Sequence, residues 1–308
     1  MHVYRGLPSS FATPIALTVG NFDGVHRGHQ AMLGRLIEAA EDLALPPAVL
    51  TFDPPPREFF ARDKAPPRLS TLRAKIEQFR AHGVAHTFIA RFDAKLAALS
   101  PETFIDEVLV RKLHVRWVLV GEDFRFGKGR AGDIATLRRA AKGFSVEAMR
   151  TVSVDGERAS STAVRDALAG GDLARAGALL GRPFAISGRV AHGAKRGRDL
   201  GFPTANISLP RNPPLAGIFA VRVHGLGSAP RTGVASAGVR PTVSASGVPL
   251  LEVFIFDFDD TIYGKRVAVE FVHKLRDEER YADLDALTRQ IAADVAQARD
   301  FFACAPER

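Results

Sequence analysis

Cysteine is almost missing from this 308-residue chain, with Cys304 its one representative. A single thiol excludes an internal disulfide framework and suits a reducing compartment, so the expected location is cytoplasmic. No apolar run is long enough to span a bilayer, and Met1-His2-Val3-Tyr4-Arg5 lacks the apolar core of a signal peptide. Low-complexity tracts and internal repeats are missing too. No Gly-x-x-x-x-Gly-Lys-Ser/Thr run occurs, which excludes a P-loop kinase. No set of His, Cys, Asp and Glu stands at metal-ligand spacing. The remaining composition, 46% hydrophobic and 25% charged, is that of a globular protein whose length suggests two domains.

What is present is positive charge, +8 in all and spread along the chain. Nucleic acid is one partner such a surface suits; small polyanions gathered into a cleft are another, and the second is favoured here. The sequence specifies no oligomeric state.

The first half alternates apolar strands (15–19, 48–52, 87–90, 116–120, 145–149) with helical patterns (28–43, 72–82, 101–113, 134–142). Such alternation predicts a doubly wound parallel α/β sheet of the Rossmann-like kind. After Gly181-Arg182-Pro183 the pattern changes to short β-like runs (184–190, 218–224, 232–235, 250–258, 267–271) separated by Gly and Pro. These predict a small antiparallel β-barrel, covered by a C-terminal helix whose stripe is Leu284, Leu287, Ile291, Val295, Ala298 and Phe302. The expected domains are 1–181, ending in a helical connector, and 182–308.

Gly20-Asn21-Phe22-Asp23-Gly24-Val25-His26-Arg27-Gly28-His29 joins the first strand to the first helix. Two histidines three residues apart at a helix N-terminus, beside free N–H groups, suit a polyphosphate; Gly28 leaves the backbone open to it. This is a nucleotidyltransferase signature. His82 and His86 form a second pair, read as a solvated helix end.

In the second half, Gly188, Gly193, Lys195 and Gly201 belong to a glycine-rich basic stretch that could face phosphates. The oxygens of Thr204 and Asn206, which end it, would suit Mg²⁺ held by ATP.

With these motifs the chain resembles the bacterial bifunctional riboflavin kinase/FMN adenylyltransferase family, the FAD synthetases, nearly end to end. The resemblance covers Gly20–His29, Thr51–Pro54, Gly121–Gly127, Ser160–Arg165, Gly201–Asn206, Gly238–Thr242, Glu252, Tyr263-Gly264 and Leu275–Glu278. It implies that the barrel phosphorylates riboflavin from ATP and that the first domain transfers AMP from ATP to FMN, giving FAD and pyrophosphate. By the same resemblance His26, His29 and Arg165 clamp phosphates. Gly20, Asn21, Phe22, Asp23, Gly28, Gly121, Asp123, Ser161 and Thr162 bind the adenylyl donor. Glu252 is the kinase base, and Phe52, Asp53, Pro54, Arg276 and Glu278 meet flavin. The implied partners are small molecules (ATP, riboflavin and FMN), with no nucleic acid and no membrane.

Departures from the usual family pattern are Phe254 for a His, Thr261 for an acidic residue, Ser236-Ala237 for Asn-Ile, and Pro55. Two stretches imitate other motifs. Asp257-Phe258-Asp259-Asp260-Thr261 looks like a haloacid-dehalogenase-type phosphatase nucleophile, but no α/β domain follows it. Gly127–Gly132 spells Gly-x-Gly-x-x-Gly, yet it lies too far past its strand and reads as a loop. Trp117 reads as core.

Overall fold

The computed structural model describes residues 1–61, 64–192, 201–209, 212–238 and 250–304. The chain packs as two units, one of residues 1–66 and 70–160 and one of residues 67–69 and 161–308.

The first unit runs β1 (His2–Arg5), β2 (Ile15–Val19), α1 (Arg27–Asp42), β3 (Pro47–Phe52), α2 (Pro56–Ala61), α3 (Leu72–Ala81), β4 (His86–Ala90) and α4 (Ala94–Ala97). It continues with α5, an α-turn over Pro101–Thr103 that passes into π-type bonding over Phe104–Lys112. Then come β5 (Val115–Gly121), α6 (Ile134–Ala140), β6 (Ser145–Met149) and a two-stranded hairpin of β7 (Ser153–Val154) and β8 (Glu157–Arg158).

Six strands form one parallel sheet in the order β1-β4-β3-β2-β5-β6. Parallel sheets bury both faces, and alternate residues of β2 show this. Ile15, Leu17 and Val19 pack with Leu50, Phe88, Val118 and Val120 on one side. Ala16 packs with Trp117, Leu119, Leu33, Leu36 and Phe79 on the other. From β2 the chain winds outward through β3 and β4; from its neighbour β5 it winds the other way to β6. The order therefore reverses between β2 and β5, and in such sheets ligands bind beyond the carboxyl ends of the two strands flanking the reversal.

The second unit contains α7 (Ser161–Ala169) and α8 (Leu173–Leu180), the expected helical connector, which stops at Gly181 in the left-handed region (φ 70°). The closed antiparallel barrel follows, from β9 (Ala185–Ala191), β10 (Thr204–Ser208), β11 (Gly217–His224), β12 (Arg231–Gly238), β13 (Leu250–Ile255) and β14 (Arg266–Arg276), in the order β10-β13-β12-β11-β14-β9. Its interior holds Val190, Ile207, Phe219, Val221, Ala235, Leu251, Val253 and Phe271, all buried.

α9 (Leu284–Cys304) docks outside, packing Ala298, Val295, Phe301 and Phe302 on Phe254, Phe256 and Val234. Leu284, expected in its apolar stripe, is exposed. Asp294 is buried on this helix instead, bonded through both oxygens to the Arg276 guanidinium at 2.7 and 2.6 Å. Removing one partner of a buried pair strands the other charge. Asp294→Ala is therefore expected to lower stability by about 3–5 kcal/mol in urea unfolding of the full chain.

The structure corrects several expected bounds. β1 is an extra strand at the sheet edge, paired with β4. Thr204–Asn206 lie on β10, a strand missing from the expected runs, which β13 and β9 pair on both sides. β13 ends at Ile255, and Asp257 takes φ 51°. The Gly127–Gly132 stretch makes a short 3₁₀ turn. A Cβ on Gly127 would come within 2.8 Å of the Pro101 nitrogen.

Candidate active sites

The loop after β2 is bent tightly: Phe22, Gly24 and Val25 have φ of 50°, 83° and 43°. Bonds to the rest of the unit fix it. Gly20 N–H donates to the Leu50 carbonyl at 3.0 Å, and Thr51 Oγ1 donates to the Asn21 carbonyl at 3.3 Å. The Asp23 carboxylate accepts from Ser70 N and Oγ.

The loop delivers His26 to the N-cap of α1 in extended conformation, without a side-chain capping bond to the helix. His26 and His29 stack with ring centroids 3.7 Å apart, and His29 also rests on Phe22 at 5.0 Å. A Cβ on Gly28 would lie 3.1 Å from the Ala159 carbonyl and 3.2 Å from the His26 ring, so packing as well as ligand access favours glycine.

His29 is held well below the usual histidine pKa, first by burial, then by His26 and Lys75. It is neutral at neutral pH and offers hydrogen bonds rather than charge. Its Nδ1 is buried with no hydrogen-bond partner among the described residues.

Beyond β5, Gly121–Phe124 forms a turn in which Phe124 N–H returns to the Gly121 carbonyl at 3.0 Å. Asp123 pairs with Arg158 of β8. Glu122 accepts from Thr151 N and Oγ1, which lowers its pKa. The two segments that the family resemblance assigns to the adenylyl donor, Gly20–Gly28 and Gly121–Asp123, thus follow the two strands at the reversal.

Phe52, Asp53 and Pro54 leave β3 at the same edge. There Phe52, Phe59, Phe60 and Phe92 make an aromatic cluster with centroids 5.1–5.7 Å apart. Phe60 is 69% exposed, so this ring faces outward rather than into the core. The last three escape a sequence reading because only the pairing of β3 with β4 brings them together.

Ser161, Thr162 and Arg165 stand on α7, in the second unit. Arg165 donates from Nε to the Pro67 carbonyl at 2.7 Å and from a terminal nitrogen to the Ser161 carbonyl at 3.1 Å.

In the barrel, strand register assembles a second site. Asn206 on β10 lies opposite Glu252 on β13, which lies opposite Ser236 on β12. With a period of two, Thr204, Asn206, Glu252 and Phe254 share the outer face. Asn206 donates from Nδ2 to the Thr204 carbonyl at 3.2 Å. Its Oδ1 is buried and without a hydrogen-bond partner among the described residues. A cavity of about 250 Å³ has Thr204, Asn206, Asp259 and Tyr263 among its lining residues, together with the apolar Val190, Val253, Ile255 and Ile262. A buried amide oxygen on the same strand face as a hydroxyl is a hard, neutral pair of donors of the kind that suits Mg²⁺.

Gly188 is on β9, where a Cβ would collide with Ile207. Gly201 forms the turn before β10 (φ 83°). Gly193 and Lys195 lie outside the described residues. Arg276 is engaged by Asp294, and Glu278 accepts from Ser236 Oγ at 3.0 Å. Phe254 packs edge-to-face on Phe202, centroids 5.4 Å apart, and on the helix α9 cluster. Asp257, the imitation phosphatase nucleophile, is bonded twice by Arg299, which holds its pKa down. Among the described residues no helix is long and apolar enough to cross a membrane.

Comparison with known proteins identifies the family of the chain. The FAD synthetase family model matches residues 9–163 and the riboflavin kinase model residues 180–302. The bifunctional riboflavin kinase/FMN adenylyltransferase of Escherichia coli K12 is 47% identical over 308 residues, 98% of each chain. That of Pseudomonas fluorescens is 49% identical, over 92% of this chain and 91% of its own. A crystal structure described as a macrolide-efflux protein from Streptococcus pneumoniae superposes with a TM-score of 0.80 at 27% identity, over 97% of this chain and 99% of that one. Two signatures, one on an open parallel sheet and one on a closed barrel, and near full-length likeness to enzymes of both activities lead to one conclusion: the chain belongs to the bifunctional riboflavin kinase/FMN adenylyltransferase family.

Proposed function

We propose that the two activities divide between the two sites, with adenylyl transfer at the His26/His29 turn and riboflavin phosphorylation beside Glu252, the domains meeting at 181/182. The observation that supports the division is the separation of the two signatures onto a parallel sheet and a closed barrel.

In adenylyl transfer an FMN phosphate oxygen attacks the α-phosphorus of ATP, and the bond to pyrophosphate breaks. The nucleophile is already anionic, so no strong base is needed; the work is alignment and stabilisation of charge on the departing diphosphate. His26, His29 and the α1 N-terminus supply donors for that charge. Gly20–Asp23 and Gly121–Asp123 border the adenylyl donor, with Ser161, Thr162 and Arg165 as further phosphate ligands. Phe52, Asp53 and Pro54, joined by Phe59, Phe60 and Phe92, receive the flavin rings.

In the kinase step the riboflavin 5′-hydroxyl gives its proton to Glu252 while its oxygen bonds to the γ-phosphorus and ADP leaves. Thr204 and Asn206 would hold Mg²⁺, which neutralises charge on the transferring phosphoryl group. Gly188, Gly193, Lys195 and Gly201 would border the same phosphates, and Arg276 and Glu278 the flavin. The +8 charge serves these anionic substrates rather than nucleic acid, and the single cysteine suits the cytoplasm.

Chromatography of riboflavin, ATP and Mg²⁺ incubated with the protein tests the scheme. FMN should rise first and FAD follow as FMN falls. Single-site variants that remain folded but lose both steps together would overturn the division.

A further inference from the structure

Lys75 is a cation in an unusual place. It lies in the first turn of α3, is 4% exposed, and donates from Nζ to the Asn21 carbonyl at 2.5 Å. Lysines are almost never fully buried, and the first turn of a helix is the end where a cation is least welcome. One of its bonds reaches a particular peptide. The Asn21 carbonyl precedes Phe22, whose left-handed backbone (φ 50°) sets its ring against His29 on one side and against Phe79 of α3 on the other. Lys75 and Phe79 thus grip the loop together from one helix. After burial and the neighbouring His26, Lys75 also helps hold the His29 pKa down. The Asp23 carboxylate of the same loop is taken up by Ser70. An ammonium and a helix N-terminus therefore bear on the imidazole pair from two sides, a setting that an anion at the turn relieves.

We propose that Lys75 is a positioning residue for adenylyl transfer: its ammonium holds the Asn21 carbonyl, and with it the Phe22–His29 contact, and its charge sets the field in which the imidazole pair receives the diphosphate of ATP. The proposal rests on the assignment of His26 and His29 to that step. Lys75 acts through the loop and through His29 rather than by displacing them.

The test uses the full-length enzyme with Lys75→Met and with Lys75→Gln, which keeps a donor for Asn21 but no charge. Three quantities are read: the NMR titration of the His29 ring, identified by its loss in His29→Gln; KM for ATP in FMN-to-FAD conversion; and kinase rate. Both variants should move the His29 titration upward, toward the ordinary histidine range, because a repelling cation is gone. Lys75→Met should raise KM for ATP by about tenfold or more, with Lys75→Gln between it and the wild type. The kinase rate should not change. Fluorescence of Trp117, the one tryptophan and a buried residue of the same sheet, reports whether the first unit stays folded. If Lys75→Met unfolds it, Lys75→Gln decides. A wild-type His29 titration with wild-type KM in the folded variant overturns the role of Lys75. His29→Ala that still makes FAD at the wild-type rate overturns the underlying site assignment instead.

Discussion

His29→Ala halts the reaction sequence at FMN: riboflavin is still phosphorylated, and FAD formation falls by about 10²–10³-fold in kcat, the cost of one preorganised donor to a developing anion. The large effect follows from where the ring sits. It is buried, neutral and stacked on His26, so its hydrogen bond is delivered in a site that water screens poorly. In bulk water the same bond would be worth far less. His29→Gln, which restores a donor, should recover part of the rate. Truncation also leaves a void beside Phe22, so the Trp117 unfolding transition must accompany the kinetics. A folded His29→Ala that makes FAD from supplied FMN at the wild-type rate would refute the assignment.

Glu252→Gln gives the mirror image. Phosphorylation of riboflavin drops by about 10²–10⁴-fold, the usual contribution of a positioned base, while supplied FMN is adenylylated normally. Glutamine keeps the shape and the place in the ladder opposite Asn206 and Ser236 but cannot take a proton. A wild-type kinase rate in this variant would remove Glu252 from the mechanism and leave the barrel without its base.

Legibility in the sequence tracked how local each cause is. The β2–α1 turn declared itself because an apolar run, glycines and an amphipathic helix are consecutive in the chain. The parallel sheet and the barrel followed from the same kind of local alternation. β1 did not, since His2–Arg5 is a mostly exposed edge strand whose partner lies more than eighty residues away. β10 was not among the expected strands because its glycine and proline neighbours outweighed a strand that two remote partners hold. Asp294 and Lys75 were missed for a single reason: a charged side chain on a helix reads as solvated, and both are buried by partners that only folding supplies. The Phe52–Phe92 cluster depends on strand adjacency in the same way.

The alternation along β13 has an effect on folding as well as on chemistry. Leu251, Val253 and Ile255 face the barrel interior, while Glu252 and Phe254 face out. Were this strand to thread one residue out of step, the carboxylate would enter an oily core at a penalty of several kcal/mol, and Val253 would be left in water. The group proposed to accept the proton from the vitamin therefore also polices assembly, favouring one alignment of the barrel over its neighbours.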